Sequence, residues 1–172
     1  MEDFGSDTII SPRVRLILMD CFETLVQFHG HGYIARQGVE PFLDTFTVGQ
    51  RIPVVVISDA PEAVIVGALR QAGLLARIAT IHDGRVSEPL GEGRSRKRLD
   101  VPLFELGVRP DQAVFIGDSQ LDAEAAQFYK VPFIRVPRSE DRSFSFARLI
   151  AGPSRYRSGE FDEHVKNEYR QP

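Results

Sequence analysis

The sequence predicts a three-layer α/β/α sandwich built on a Rossmann-like parallel sheet, with a minimal flap and no large cap domain. Three observations point there. Apolar runs at residues 16–19 (LILM), 53–57 (PVVVI) and 113–116 (AVFI) are continuous rather than alternating, as in strands covered on both faces. Helix-like segments separate these runs, giving the alternation of a parallel sheet with crossover helices. Each run also ends in a chemically equipped loop. The first delivers Asp20, the second Ser58, and the third Gly117-Asp118-Ser119-Gln120-Leu121-Asp122. In parallel α/β sheets, ligands bind beyond the carboxyl ends of the strands.

The remaining elements follow in order. Residues 1–12 read as a loose leader, 13–153 as one core domain, and 154–172 as a polar tail expected to be mobile. After the first strand, residues 25–28 and 33–36 flank His29-Gly30-His31-Gly32, which predicts a β-hairpin flap over Asp20. Residues 38–48 supply a short helix with Val39, Phe42, Leu43 and Phe46 on one face. Asp59 and Glu62 form a capping box, with Pro61 in the first turn. They open a helix that buries Val64, Ile65, Ala68, Leu69 and Ala72 and stops at Gly73. Residues 78–81 read as a core strand, turned at Asp83-Gly84 into a hairpin with 85–87. Residues 88–95 (EPLGEGRS) read as a loop, and Gly91-Glu92-Gly93 is too short a pattern for a dinucleotide site. Two helices, at 99–106 and 122–129, and a last strand at 133–136 complete the core. An amphipathic piece at 144–150 is available to cover a neighbouring subunit before the break at Gly152-Pro153.

Composition narrows the function classes. A chain of 172 residues suits one domain, burying about 70% of its unfolded surface on folding. A net charge of -3 calls for neither nucleic acid nor an anionic membrane. The opening MEDFGSDTII lacks the features of a signal peptide, and no apolar run nears the length of about 18 residues needed to span a bilayer. The expected location is cytoplasmic. A single cysteine, Cys21, excludes an internal disulfide and suits a reducing compartment. The four histidines make no zinc pattern.

Four features occur in order: Asp20-Cys21-Phe22-Glu23-Thr24 after the first strand, Ser58 after the second, Lys97, and Gly117-Asp118 with Asp122 after the third. The set resembles the haloacid dehalogenase superfamily of phosphotransferases and hydrolases. The motifs of that family are a strand ending in DxDxT, a strand ending in Ser or Thr, a Lys, and a strand ending in GDxxxD. The resemblance covers residues 14–136 and departs at one position, where Phe22 replaces the second Asp of the first motif.

The resemblance implies an aspartyl-phosphate on Asp20 and a Mg²⁺ held by Asp20, Asp118 and the backbone carbonyl of Phe22, with Asp122 orienting the metal's waters. The chemistry is consistent, because a carboxylate attacking a phosphate ester needs positive charge supplied first, and hard oxygen ligands suit Mg²⁺. Lys97 neutralises Asp20 and the phosphoryl oxygens, while Ser58 and the N–H groups after Asp20 hydrogen-bond them. Thr24, which braces the loop, and Asp59 beside Ser58 join the substrate-binding set. Arg98 is an alternative to Lys97, because Arg94, Arg96 and Arg98 surround the lysine.

Phe22 removes a proton shuttle that is typically worth about 10² to 10⁴ in rate. Three readings stay open. They are a slow or specialised phosphohydrolase that borrows Glu23, His29 or His31 as acid-base, a non-catalytic or regulatory binding module, and a dehalogenase, whose family members carry an aromatic residue at this position. The acidic pair Asp118 and Asp122 weighs against dehalogenation, which needs no metal. Only 38 positions separate Asp20 from Ser58, too few for a large cap. Capless relatives tend toward larger substrates or oligomers, so a homo-oligomer or a macromolecular phosphorylated substrate is expected.

Overall fold

The computed structural model describes residues 10–150. Most of the leader, the polar tail and His164 lie outside them. The chain runs β1 (Leu16–Met19), β2 (Val26–His29), β3 (Gly32–Ala35), α1 (Val39–Leu43), β4 (Val54–Ile57), α2 (Glu62–Gln71), β5 (Thr80–His82), β6 (Ser87–Gly91), β7 (Arg94–Lys97), α3 (Asp100–Leu106), β8 (Ala113–Gly117), α4 (Gln120–Tyr129) and β9 (Phe133–Arg135). Five strands form a parallel sheet in the order β5-β4-β1-β8-β9.

The continuous apolar strands are explained by what covers them. Successive strand side chains point to opposite faces. Ile17, Met19, Val54, Val56, Val114 and Ile116 pack with Val39, Phe42 and Leu43 of α1 and Ile65, Ala68 and Leu69 of α2. Leu16, Leu18, Val55, Ile57, Ala113 and Phe115 pack on the other face with Leu99, Leu103 of α3, and Ala125 and Ala126 of α4. The result is the expected three-layer sandwich. No helix among the described residues is long and apolar enough to cross a membrane.

The sheet order brings the carboxyl ends of β4, β1 and β8 side by side, with the chain turning outward in both directions from β1. Hydrogen bonds carry the ladders into the loops: Asp20 N–H donates to Ile116 O at 3.0 Å, and Ser58 N–H to His82 O at 3.0 Å.

Several local expectations are corrected. Residues 88–95 are not a loop but most of the antiparallel hairpin β6–β7, in register from Ser87↔Lys97. Its turn is permitted by three consecutive positive φ angles, at Gly91 (87°), Glu92 (54°) and Gly93 (71°). Asp83 does not turn a hairpin; its carboxylate accepts the Arg85 N–H at 3.1 Å and opens a 3₁₀ turn over Gly84–Val86. The same carboxylate accepts the Glu62 N–H at 3.3 Å and so caps α2 from outside. The expected capping box with Asp59 does not form, because Asp59 bonds Ser87 Oγ instead. Val64 is exposed rather than buried. The helix begun by α1 widens into a π-helical stretch over Asp44–Gly49, which keeps Phe46 in the core. Ile10, assigned by sequence to the leader, is buried in the core. The piece at 144–150 covers its own core, with Phe146 packed edge-on to Phe42 at 5.3 Å, so its apolar face is not available to a neighbour.

Candidate active site

The loop after β1 is wound tightly on the Cys21 carbonyl, which accepts from Leu25 N–H at 2.9 Å and Val26 N–H at 3.2 Å. Burial of Leu25 and Thr24 anchors that turn. The N–H groups of Cys21 and Phe22 donate to no other described residue, so two backbone donors flank Asp20 and remain available to an anion. Cys21 itself is buried, and burial followed by the neighbouring Asp20 charge pushes its thiol up to about 12, which makes it inert.

Asp20 is 8% exposed and Asp122 2%. Between them lies Lys97, delivered by the inward side of β7. Its Nζ donates to Asp20 Oδ1 at 2.9 Å and to Asp122 Oδ1 at 2.7 Å. Asp122 reaches this position because Ser119 caps α4, its Oγ accepting the Asp122 N–H at 3.1 Å. Gly117 is required beside it, since an added Cβ would lie 2.5 Å from Asp122 Oδ2. Thr24 Oγ1 is 3.4 Å from Asp20 Oδ2 and 3.3 Å from Asp118 Oδ1, and its single proton can serve only one at a time.

The electrostatics are unbalanced. Ligand atoms of Asp20, Asp118 and Asp122 lie within 4.8 Å of one another, while the ammonium of Lys97 pairs with two of the three, Asp20 and Asp122. Burial pushes Asp20 up to about 6; Lys97 opposes that rise and Asp118 reinforces it. Burial, then the Asp20 charge, likewise pushes Asp122 up to about 6. Burial alone would lower Lys97, but the two carboxylates outweigh it and hold the ammonium above its ordinary range. Asp122 Oδ2 is buried without a hydrogen-bond partner among the described residues. A cluster of hard oxygen donors with excess negative charge and an orphaned carboxylate oxygen fits a small divalent cation.

The other expected residues fall into two groups. Ser58 is buried at the end of β4, adjacent to β1, where its Oγ accepts only the Ala60 N–H at 3.3 Å and its own proton is uncommitted among the described residues. Phe22 is half-buried and packs edge-on to Tyr33 of the flap at 5.2 Å, which keeps an apolar ring where a second carboxylate would stand. Asp59 turns to Ser87. Arg98 is exposed and bonds Asp100 at 2.6 Å, so it does not take the place of Lys97. Lys97, the last residue of β7, is paired with Ser87 and buried, whereas Arg98 lies just beyond the strand and is exposed.

The three borrowed acid-base candidates are poorly placed for that role. His29 and His31 are exposed at the tip of the flap. Glu23 is pinned. Its carboxylate accepts the Ser139 N–H at 2.8 Å, and its carbonyl accepts from Arg36 Nη1 at 2.6 Å. Burial would raise its pKa, but the Ser139 bonds and the charges of Arg138 and Arg36 prevail and lower it. Arg36 was not singled out by sequence, because a single arginine after a hairpin carries no signal, whereas Gly117 stands in the GD pair.

No family model and no curated protein matches the sequence. The structure is similar to a HAD-superfamily hydrolase, subfamily IA, variant 1, from Geobacter sulfurreducens PCA, with TM-score 0.55 and 14% identity over 70% of this chain and 88% of that one. It is also similar to a haloacid dehalogenase-like family hydrolase from Streptococcus pneumoniae, with TM-score 0.56 and 10% identity over 83% and 92% of the two chains. The core domain of a proposed phosphoglycolate phosphatase from Streptococcus pneumoniae TIGR4 matches with TM-score 0.51 and 17% identity over 76% and 93%. At these identities the likeness establishes a shared fold, and function has to be argued from the site.

Proposed function

We propose that this chain, whose fold is that of the haloacid dehalogenase superfamily, is a phosphohydrolase that works through an aspartyl-phosphate on Asp20. One observation carries the reading: Asp20, Asp118 and Asp122 converge at the carboxyl ends of adjacent parallel strands, with Lys97 paired to Asp20 and Asp122.

In the proposed reaction, an Asp20 carboxylate oxygen attacks phosphorus, and the bond to the leaving-group oxygen breaks with its electron pair. Water then attacks the aspartyl-phosphate, which releases inorganic phosphate and restores Asp20. Lys97 holds Asp20 ionised and oriented, and the free N–H groups of Cys21 and Phe22, with Ser58, receive the equatorial oxygens. Asp122 fixes Lys97 from behind. Asp20, Asp118 and the Phe22 carbonyl would hold a Mg²⁺, which when bound supplies the positive charge that lets two anions approach.

With Phe22 apolar and Glu23 pinned, no group on the loop protonates a departing alkoxide. The favoured substrates are therefore those whose leaving group needs no proton, such as acyl phosphates and esters of acidic alcohols. Among the described residues, the insertions nearest the site are small, the flap and the β6–β7 hairpin. A phosphate-binding module without turnover is the second reading, favoured by Phe22 alone.

The test is Mg²⁺-dependent hydrolysis of acetyl phosphate and of an unactivated alkyl phosphomonoester. Wild type is expected to favour the former, and Phe22→Asp to raise the latter by about 10-fold or more, a conservative share of a general acid-base contribution. The substitution loses an edge-on ring contact worth about 0.5–1.5 kcal/mol and adds a carboxylate near Asp20, so the variant's folding is checked by circular dichroism in Mg²⁺. A folded variant that gains nothing, beside a wild type inert to acetyl phosphate, would favour the binding module.

A further inference from the structure

A second feature lies beside the nucleophile loop. The flap and the segment after β9 border a cleft of about 800 Å³, whose walls carry the apolar Phe28, Ile34 and Phe144, the cations Arg36 and Arg142, and, on the rim, the carboxylates Glu140 and Asp141. This is within the range of about 300–1,000 Å³ typical of small-molecule sites, and far more than a phosphoryl group needs.

Two properties of its walls are unusual for a surface cleft. Phe28 is 62% exposed and Ile34 41%, on a short hairpin whose other apolar residues are covered, and the half-buried Phe144 lines the same cleft. Arg36 is only 4% exposed, yet the one hydrogen bond its guanidinium makes among the described residues is from Nη1 to the Glu23 carbonyl. The ring of Phe144 lies 5.7 Å from its Cζ. A guanidinium has five N–H donors in a rigid fork matched to carboxylate or phosphate. Here most of them are uncommitted and border the cavity.

The cavity is joined to the reaction site by chain and by contact. Glu23, whose carbonyl Arg36 holds and whose carboxylate Ser139 holds, is the third residue after Asp20. The Arg36 charge is felt at Asp118. Phe22 meets Tyr33 at 5.2 Å and Tyr33 meets Phe28 at 5.3 Å, so an apolar row runs from the nucleophile loop along the flap to the cavity mouth.

We propose that this cavity seats the non-transferred part of the substrate: a flat body with an apolar face that packs against Phe28 and Phe144 and carries a second anionic group, carboxylate or phosphate, paired with Arg36. The inference rests on the phosphohydrolase reading for its phosphate end. It also gives a role to the ring at position 22, which extends the apolar wall instead of shuttling a proton.

The test is calorimetric binding of non-hydrolysable probes in Mg²⁺: methylphosphonate, phenylphosphonate, 4-carboxyphenylphosphonate and benzene-1,4-diphosphonate. Wild type should bind phenylphosphonate more tightly than methylphosphonate, and one of the two doubly anionic probes about 10-fold more tightly again, as a charge-assisted bidentate contact allows. Which of the two gains identifies the second group. Arg36→Gln should bring the doubly anionic and phenyl probes to equal affinity. Because Arg36 also braces the loop, Phe28→Ala supplies an independent arm at an exposed position, and should narrow the gap between phenyl and methyl probes. Equal affinities for all four probes in wild type would overturn the proposal, as would discrimination that persists in a folded Arg36→Gln. Acetyl phosphate, too small to reach the cavity, separates the two ideas. Failure of wild type to hydrolyse it defeats the phosphohydrolase reading, while the probe series still decides what the cavity binds.

Discussion

Replacing Lys97 with methionine keeps the length and apolar stem of the side chain but deletes the one ammonium between two buried carboxylates. The ammonium is 2.9 Å from Asp20 and 2.7 Å from Asp122, and both acids are almost fully enclosed. Removing one partner of a buried ion pair costs about 3–5 kcal/mol, which in a domain of this size lowers Tm by roughly 6–20 °C. The sign of the pH dependence follows from the acids. Both are pushed up to about 6 even with Lys97 present, from an ordinary value of 3.8. A carboxyl whose folded pKa is raised gains a proton more readily in the native state, so its penalty is present at pH 8 and relieved as pH falls through about 6. Without Lys97 both rise further, so the difference between variant and wild type should be large at pH 8 and shrink toward pH 5. Added Mg²⁺ should restore part of the loss at pH 8 by replacing the missing charge. Thermal unfolding followed by circular dichroism at both pH values, with and without Mg²⁺, measures all of this. A loss of equal size at pH 5 and pH 8, or none at pH 8, would refute the electrostatic account.

Two further substitutions probe the supports of the site. Gly117→Ala places a methyl group 2.5 Å from Asp122 Oδ2 and 2.9 Å from its Cγ, so Asp122 must move; the expected cost is about 1–3 kcal/mol by denaturant unfolding, with weaker Mg²⁺ binding, and unchanged values in both would contradict the packing argument. Glu23→Gln should alter kcat on acetyl phosphate only slightly, because the carboxylate is committed to Ser139, whereas a loss of about 10²-fold or more would identify Glu23 as the missing acid-base.

The strands that carry the site were legible because a strand buried on both faces must be continuously apolar, and because the residue that follows it is thrown to the same edge of the sheet. The β6–β7 hairpin was not legible. Its residues, SEPLG and RSRK, show no apolar alternation, and what holds them is remote: Arg96 lies over Phe128 at 3.7 Å, and Arg94 bonds Glu124 at 2.9 Å. For the same reason sequence could not choose between Lys97 and Arg98, since only the placement of the hairpin decides which is buried. The α2 cap failed similarly. The local rule favoured Asp59, but tertiary structure gave that residue Ser87 and brought Asp83 to the helix instead. The amphipathic turn at 144–150 reads from sequence as a surface for a neighbouring subunit, and sequence could not show that Phe42 of the same chain takes its apolar face.

The central claim is that Asp20 becomes phosphorylated. Because Phe22 stands where the family resemblance implies a water-activating Asp, the proposed hydrolysis of the intermediate should be slower than its formation, and the phosphoenzyme should accumulate. Incubation with Mg²⁺ and acetyl phosphate, acid quenching and peptide mass spectrometry should place a phosphoryl group on Asp20, absent from Asp20→Asn and less abundant in Phe22→Asp. Mg²⁺-dependent turnover with no phosphoryl group on Asp20, or with one on another residue, would contradict the account.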